Sequence, residues 1–362
     1  MSGIFIKRLA TAMFQLGSKI TVLAPGDQNS KSEEVDGGIR VVRFSYAPRP
    51  WMKLAYGPGG IPENLKRNPL LYMLLPFFII SLIFSILRFS RNCDIIHANW
   101  FFTGLCAFPI AKIRKKKIAV TLRGSDFKRK KKKLIVWLST HIDLITTVNQ
   151  KWAEDLKRKI TCKVFYTPNG VEVFGRKGKG RYRKKKAKDI IWVGWVGSLS
   201  KTKGADILGQ IARIALINKP KIHFIIVGPG FPKEYNLNNL SNVTIMGSIP
   251  PDEVFQIYSS IDIFILPSRH EGRPNSLLEA MASGLPCVAT NLPGVCEILT
   301  KECGIIVDIG NASKMAEAIS ELAENPERRK QMGENSKQRI QELSFGWQNS
   351  ASNYLKIFNE VL

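Results

Sequence analysis

Two glutamates eight positions apart follow a short apolar run in the second half of the chain. Glu271 lies in the loop after the run Ile263 to Leu266, and Glu279 lies one turn inside a helix predicted to begin near Asn275. The amino end of a helix presents unpaired N–H groups and the positive end of its dipole, which favours a phosphate. Glu279 there can bind ribose hydroxyls, and Glu271 a sugar hydroxyl. The alternative is a solvated loop carboxylate and a favourable helix-terminal charge.

The helix amino terminus itself offers the donors that an anion needs. Asn275 or Ser276 is expected to cap it. The N–H groups of Ser276 and Leu277 are expected to face a bound phosphate.

A second candidate anion site lies in VGSLSKTKGAD, residues 196–206. An apolar run ends at Gly197 and a helix is predicted to start near Gly204, so Lys203 is placed to meet a diphosphate. Ser198 and Thr202 can add hydroxyl donors. An ordinary loop with a surface lysine is the alternative reading of this stretch taken alone.

Short β-branched runs alternate with helical stretches along the whole chain, which is typical of βαβ units and a parallel sheet. The length of 362 residues suits two such domains. In a doubly wound domain ligands bind at the carboxyl ends of the strands. Because both candidate anion sites follow predicted strands, we expect them to share one pocket.

The segment from Glu271 to Pro286, EGRPNSLLEAMASGLP, resembles the signature of retaining, nucleotide-sugar-dependent glycosyltransferases of family 4. The segments IIHANW, TLRGSDF and PNGV also look like segments of this family. Within the family, the chain looks most like the enzymes that build teichuronic-acid-type cell-envelope polysaccharides. The resemblance implies a GT-B fold, α/β with two doubly wound Rossmann-like domains and a cleft between them.

The resemblance also implies roles for individual residues. Glu279 binds the donor ribose, Glu271 touches the transferred sugar and Lys203 binds the diphosphate. Glu271, Lys203 and His97 are the three candidate catalytic residues. The remaining donor-binding candidates are Gly197, Ser198, Asn275, Ser276 and Leu277, and the acceptor-side candidates are Asn99 and Arg123.

These patterns predict a division of the chain into four segments. Residues 1–170 are expected to form an acceptor-binding, membrane-facing domain, 171–188 a basic linker, and 189–344 the donor-binding domain. A final helix at about 345–362 is expected to pack back on the first domain. Family members begin with a strand and a glycine-bearing loop, whereas this chain starts directly at a helix. A first strand is therefore expected to be missing from the sequence.

Basic residues are concentrated in the first half of the chain. Residues 1–188 hold 38 basic and 11 acidic side chains, a net charge of +27, while the remainder carries −2. This asymmetry predicts an anionic partner for the first half, either a membrane surface or nucleic acid. The six cysteines form no C-x-x-C pair, and no secretory leader is evident, which predicts a reducing, cytosolic location.

Residues 70–87 carry no charge and approach the length of a membrane span. Three alternatives are open: a span, a helix buried in the domain, and a helix dipping into the membrane interface. A span would place strands that are predicted to form one sheet on opposite sides of the bilayer. We therefore expect a peripheral protein on the inner face of the cell membrane.

The predicted reaction is transfer of a sugar from a nucleoside-diphosphate sugar to a lipid-linked or polysaccharide acceptor. No D-x-D motif occurs in the sequence, so neither a metal nor another cofactor is expected. A non-hydrolysing nucleotide-sugar epimerase of the same architecture is the first alternative, and a nucleic-acid-binding protein the second. No nucleic-acid motif is present, so nucleic acid is not expected as a partner.

Overall fold

The computed structural model describes residues 3–57, 60–127, 132–172, 190–218, 221–250 and 253–362. These residues form two compact units, which are described separately. The first contains Met1–Gly170 and Trp347–Leu362, and the second contains Val171–Gly346. Most of the predicted basic linker lies outside the described residues.

The elements alternate along the chain as the sequence pattern predicts. The first half contains α1 (Ile4–Gln15), β1 (Thr21–Pro25), β2 (Glu33–Asp36), β3 (Ile39–Phe44), α2 (Gly60–Arg67), α3 (Leu75–Phe89), β4 (Ile95–Asn99), α4 (Phe101–Arg114), β5 (Lys117–Leu122), α5 (Lys132–Ser139), β6 (Leu144–Thr147), α6 (Gln150–Lys157) and β7 (Lys163–Tyr166). The second half contains β8 (Ile191–Val196), α7 (Ala205–Asn218), β9 (Ile222–Val227), β10 (Val243–Gly247), α8 (Val254–Tyr258), β11 (Ile263–Leu266), α9 (Asn275–Ala282), β12 (Cys287–Thr290), α10 (Pro293–Cys296), β13 (Gly304–Val307), α11 (Ala312–Glu324), α12 (Pro326–Glu342) and α13 (Trp347–Asn359).

The second unit is built on one parallel sheet with the strand order β10-β9-β8-β11-β12-β13. Every residue of β11 and β12 is buried, as expected for central strands covered by helices on both faces. Helices α7 and α11 pack on one face, and α8, α9 and α10 on the other. This is the doubly wound arrangement that the alternating pattern predicts, and the prediction of an α/β fold is confirmed.

The first unit contains a three-stranded sheet, β1-β3-β2, and a four-stranded parallel sheet, β4-β5-β6-β7. Within the described residues, β1 and β4 each pair with a strand on one side only. The apolar faces of both sheets share one core with α3 and α4. The expected missing strand stays a prediction.

The carboxy-terminal helix α13 belongs to the first unit. It packs against α1 and against the residues of β5 and β6 that face away from α4. The Tyr354 hydroxyl reaches the Thr121 hydroxyl at 3.1 Å and joins a buried polar group there. This helix thus forms the second helical layer of the first unit.

Helix α3 occupies most of the apolar segment at residues 70–87 and follows a 3₁₀ turn over Pro69–Leu74. Together they are the one helical stretch, in the described part of the chain, that is long and apolar enough to cross a membrane. Phe78, Leu82 and Ile86 are nevertheless buried in the core of the first unit. One face of this helix is therefore part of the domain.

Candidate functional site

The candidate donor site lies where the strand order of the second unit reverses. Strands β8 and β11 are neighbours, with Val193 opposite Ile263, but their connections run to opposite sides of the sheet. Loops that leave such a pair diverge and open a crevice beyond the strand ends. The loop after β8 carries Gly197, Ser198 and Lys203, and the loop after β11 carries Glu271.

Lys203 and Glu271 meet across these two loops. The Lys203 ammonium donates to both oxygens of the Glu271 carboxylate at 2.8 Å. The Ser268 hydroxyl donates to Glu271 Oε1 at 2.7 Å. The Glu271 side chain is 5% exposed and that of Lys203 is 35% exposed. A buried carboxylate held by three hydrogen bonds from two donor groups has a fixed position, so the ammonium that it binds is fixed as well.

A second contact between the same loops is made by Arg269. Its guanidinium forms a bidentate pair with the Asp206 carboxylate, at 2.6 and 2.8 Å, and donates to the Lys201 carbonyl at 2.8 Å. The Arg269 backbone N–H donates to the Thr202 carbonyl at 2.9 Å. These bonds bracket Lys203 on both sides and hold its loop against the loop of Glu271.

Glycines allow the close approach of these loops. Gly204 has a φ of +76°, and a Cβ at this position would lie 2.1 Å from the Pro267 carbonyl oxygen. Gly228, with a φ of +136°, would place a Cβ 1.7 Å from the Gly197 carbonyl oxygen. Only glycine combines this backbone conformation with so little space. Gly197, Lys203 and the strand ends are therefore brought together by backbone packing.

Helix α9 begins beside Glu271, but its cap differs from the prediction. The capping position is taken by Pro274, and Asn275 and Ser276 form the first turn of the helix, so the predicted side-chain cap is wrong. The reason is that the chain reaches the helix in the extended conformation of a proline, which has no side-chain donor or acceptor. The Leu277 N–H already donates to the Pro274 carbonyl at 3.1 Å, so Ser276 is the better placed of the two predicted donors.

Glu279 lies one turn into α9 and is partly exposed. The hydroxyl of Tyr258, a residue that is 1% exposed, donates to Glu279 Oε2 at 2.9 Å. This hydrogen bond comes from the core side of the helix. Its position after the helix start suits the ribose contact predicted for it.

In the first unit, Arg123 and Asn99 lie at the ends of β5 and β4. The Arg123 guanidinium donates to Asn99 Oδ1 at 2.8 Å and to Asn169 Oδ1 at 3.0 Å, and it lies 4.0 Å from the centre of the Phe5 ring. Burial lowers the pKa of Arg123 to about 10, with Tyr354 and Asp126 acting in the opposite direction. Arg123 therefore stays charged at neutral pH and orients the Asn99 amide.

His97 lies inside the first unit and contacts aromatic rings of α13. Its Nε2 is 2.6 Å from the Thr121 hydroxyl, and its ring lies 5.2 and 5.3 Å from the rings of Tyr354 and Phe358. Burial, and secondly the charge of Arg123, lower the pKa of His97 to about 3. The imidazole is neutral at physiological pH, and these contacts are those of a structural residue. The catalytic role of His97 stays a prediction with no contact to support it.

The low pKa of His97 predicts a specific pH dependence of stability. An unfolded histidine binds a proton below about pH 6.5, whereas folded His97 does not until about pH 3. The free energy of unfolding should therefore decrease as the pH is lowered from about 6.5 to about 3, by at most about 1.4 kcal/mol per pH unit. Between about pH 7 and 5 the wild type should lose about 2 kcal/mol more than His97→Gln.

Urea unfolding at both pH values measures this difference. His141→Gln, at a half-buried site of the same unit, is the control and should keep the wild-type dependence of unfolding free energy on pH. If the free energy of unfolding changed equally with pH in the wild type and in His97→Gln, the burial of a neutral imidazole would be contradicted.

No group of three or more His, Cys, Asp or Glu side chains that could hold a metal ion is found among the described residues. Lys203 bonds Glu271 directly, and α9 begins at Asn275, shortly after Glu271 in the chain. All six cysteines are free thiols.

Two family models match the chain, one to each half. "Glycosyltransferase Family 4" matches residues 2–173, and "Glycosyl transferases group 1" matches residues 179–339. An uncharacterized glycosyltransferase from Methanocaldococcus jannaschii is 27% identical over 289 residues, covering 75% of this chain and 77% of the relative.

Two further similarities are informative. The capsular polysaccharide biosynthesis glycosyltransferase CapM from Staphylococcus aureus is 25% identical over about half of each chain, 51% of both. The Anabaena protein HepE, solved in complex with UDP and glucose, superposes with a TM-score of 0.76 at 16% identity, covering 98% of this chain and 95% of that one.

The fold and these matches define the protein as a glycosyltransferase with the GT-B architecture. More narrowly, its first half is similar to glycosyltransferase family 4 and its second half to the group 1 glycosyl transferases. The resemblance noted in the sequence is confirmed as far as a glycosyltransferase with the GT-B fold.

The loops of Lys203 and Glu271 meet as predicted, but several of their partners were not predicted. Ser268 and Arg269 stand within the stretch that contains Glu271, and Asp206 stands at the end of the Lys203 loop, yet no pattern linked them. Arg269 and Asp206 are 63 positions apart, so only the adjacency of β8 and β11 could have paired them. Tyr258 precedes Glu279 by 21 positions on a different helix.

Proposed function

We propose that this enzyme transfers a sugar, with retention of configuration, from a nucleoside-diphosphate sugar to a lipid-linked or polysaccharide acceptor of the cell envelope. The observation that carries the donor assignment is the pair Lys203–Glu271, fixed by three hydrogen bonds at the strand-order reversal of the second unit. A cation and a helix amino terminus beside each other suit a diphosphate. CapM, by its name, and HepE, by its bound UDP and glucose, support the same chemistry.

In this mechanism the diphosphate lies near Lys203, Gly197 and the first turn of α9. Negative charge grows on the diphosphate as the bond to the sugar breaks, so preorganised donors stabilise the transition state more than the substrate. Lys203, the Ser198 hydroxyl and the Ser276 N–H are the donors that we assign. The Arg269–Asp206 pair keeps the Lys203 loop in place.

Retention is consistent with the engagement of Glu271. Both of its oxygens accept hydrogen bonds, from Lys203 and Ser268, so this carboxylate is bound rather than poised as a nucleophile. We propose that a departing phosphate oxygen takes the proton of the acceptor hydroxyl on the same face of the sugar. Glu271 then orients the sugar, and Asn99 and Arg123 of the first unit serve the acceptor.

The test of this function is turnover of radiolabelled nucleotide sugars by the purified chain with membrane extract. Transfer of label to a lipid or polysaccharide fraction supports the proposal. Interconversion of the nucleotide sugar without transfer would instead show an epimerase. Salt-sensitive retention of RNA without turnover would show a nucleic-acid-binding protein.

Glu279→Ala is expected to weaken donor binding by about 10- to 100-fold, because charged hydrogen bonds contribute about 1.5–3 kcal/mol. Isothermal titration of the nucleoside diphosphate measures this loss. Tyr258→Phe is the matched control, since it removes only the hydroxyl that supports Glu279 from the core. Equal affinity of Glu279→Ala and the wild type would exclude the ribose contact.

Transfer is expected to proceed without a divalent cation, since a lysine and a helix dipole can neutralise the leaving diphosphate. Addition of EDTA to the metal-stripped enzyme should leave the initial rate unchanged. Loss of transfer in EDTA and its return with magnesium would disprove metal independence.

A further inference from the structure

Helix α3 has an exposed apolar face that the sugar-transfer reaction does not use. Met73, at the end of the preceding turn, and Phe77, Ile80 and Phe84 follow at intervals of four, three and four residues, which places them on one side. They are 72%, 61%, 52% and 65% exposed. These four residues are the α3 stripe. Contiguous exposed apolar surface on a soluble domain marks a site of interaction.

The other face of α3 is held in the first unit. The Phe78 ring packs edge-on against the rings of Phe44 and Tyr46, at 5.3 and 5.2 Å between centres. The Ser81 hydroxyl donates to the Ser45 carbonyl next to β3. A helix crossing a bilayer would have to break these contacts and leave the core, so the structure favours a helix that lies along a surface.

Charges at the two ends of the stripe identify the surface that it fits. Lys66 and Arg67 precede it and Arg88 and Arg91 follow it, and no Asp or Glu occurs between residues 64 and 93. Glu63 lies 3.6 Å from both Lys66 Nζ and Arg67 Nε and offsets part of the first pair. Long cationic side chains beside an inserted apolar face extend to anionic head groups.

We propose that the α3 stripe inserts into the head-group and acyl boundary of an anionic lipid bilayer, with the helix axis parallel to the membrane plane. This assigns a binding surface beyond the proposed reaction and places the enzyme peripherally at the inner face of the cell membrane. A second copy of the chain fits less well, because two such surfaces would bring together flanking cations that Glu63 offsets only in part.

The experiment is co-sedimentation of the full chain with phosphatidylcholine vesicles, with and without phosphatidylglycerol. The wild type should bind the anionic vesicles and bind the neutral ones much more weakly. Met73→Gln/Phe77→Gln/Phe84→Gln should reduce binding to anionic vesicles by about 100-fold or more, since each buried apolar side chain contributes about 1.5–3 kcal/mol. The control is Ile217→Gln, at a residue of α7 in the second unit that is 81% exposed, which should bind like the wild type.

Three results would overturn this proposal. The first is binding of the triple variant to vesicles as tightly as the wild type. The second is resistance of the membrane-bound wild type to extraction by alkaline carbonate, which would show a membrane span. An oligomer that the triple variant loses, without vesicle binding by the wild type, would show a second copy as the occupant. Nucleoside-diphosphate binding should be equal in the wild type and the triple variant, so loss of vesicle binding is separable from failure of the proposed function.

Discussion

Lys203→Ala is expected to lower the rate of sugar transfer by about 100- to 1000-fold, the effect of removing one preorganised donor to a charge that forms in the transition state. Lys203 is the cation that the structure fixes at the strand-order reversal of the second unit, through two hydrogen bonds to Glu271. Because this interaction strengthens as the diphosphate departs, kcat should fall more than KM rises.

The test must separate chemistry from folding, since Lys203→Ala leaves the buried Glu271 carboxylate without its cation. Lys203→Gln keeps an amide that can donate to Glu271 and should recover stability in thermal unfolding while transfer stays low. Lys201→Ala, which removes an exposed cation of the same loop, should have near wild-type rates. Near wild-type kcat for both Lys203 variants would eliminate the diphosphate role.

Glu271→Gln is expected to have the second large effect, with a fall in kcat of about 100-fold. The substitution preserves the size of the side chain but removes the charge that holds the Lys203 ammonium, and it places an amide donor opposite a cation. The proposed sugar contact is lost at the same time. Steady-state kinetics with the nucleotide sugar measure the change.

The control for Glu271→Gln is a lysine–glutamate pair elsewhere in the same unit. Glu317→Gln breaks the Lys314–Glu317 pair of α11, in which both side chains are more than half exposed. Exposed ion pairs contribute little to stability, so transfer and unfolding should both stay close to wild type. If the two variants behave alike, the position of Glu271 carries no special role.

The chemistry of the donor site was predictable because it depends on local signals. A strand that ends at glycine and a following helix locate a phosphate-binding loop, and this pattern placed Lys203 and Glu271 at strand ends. Their 2.8 Å contact was not predictable, since it depends on β8 and β11 being neighbours in the sheet. Strand order is decided by long-range packing, which no local window contains.

Other features depend on contacts that short sequence patterns do not carry. Strand β2 escaped prediction because Glu33–Asp36 is polar and half exposed, and forms a strand only by pairing with β3. His97 was chosen from a motif, but the aromatic rings that bury it come from a helix about 260 positions later. The apolar segment at 70–87 allowed three readings until the packing of Phe78 distinguished its two faces.

The most direct test of the donor assignment is a crystal structure of the chain with a UDP- or GDP-linked hexose. We predict a diphosphate within hydrogen-bonding distance of Lys203 Nζ and the Ser276 N–H, with the ribose near Glu279. Density for the nucleotide away from both the Lys203 loop and the start of α9 would contradict the assignment.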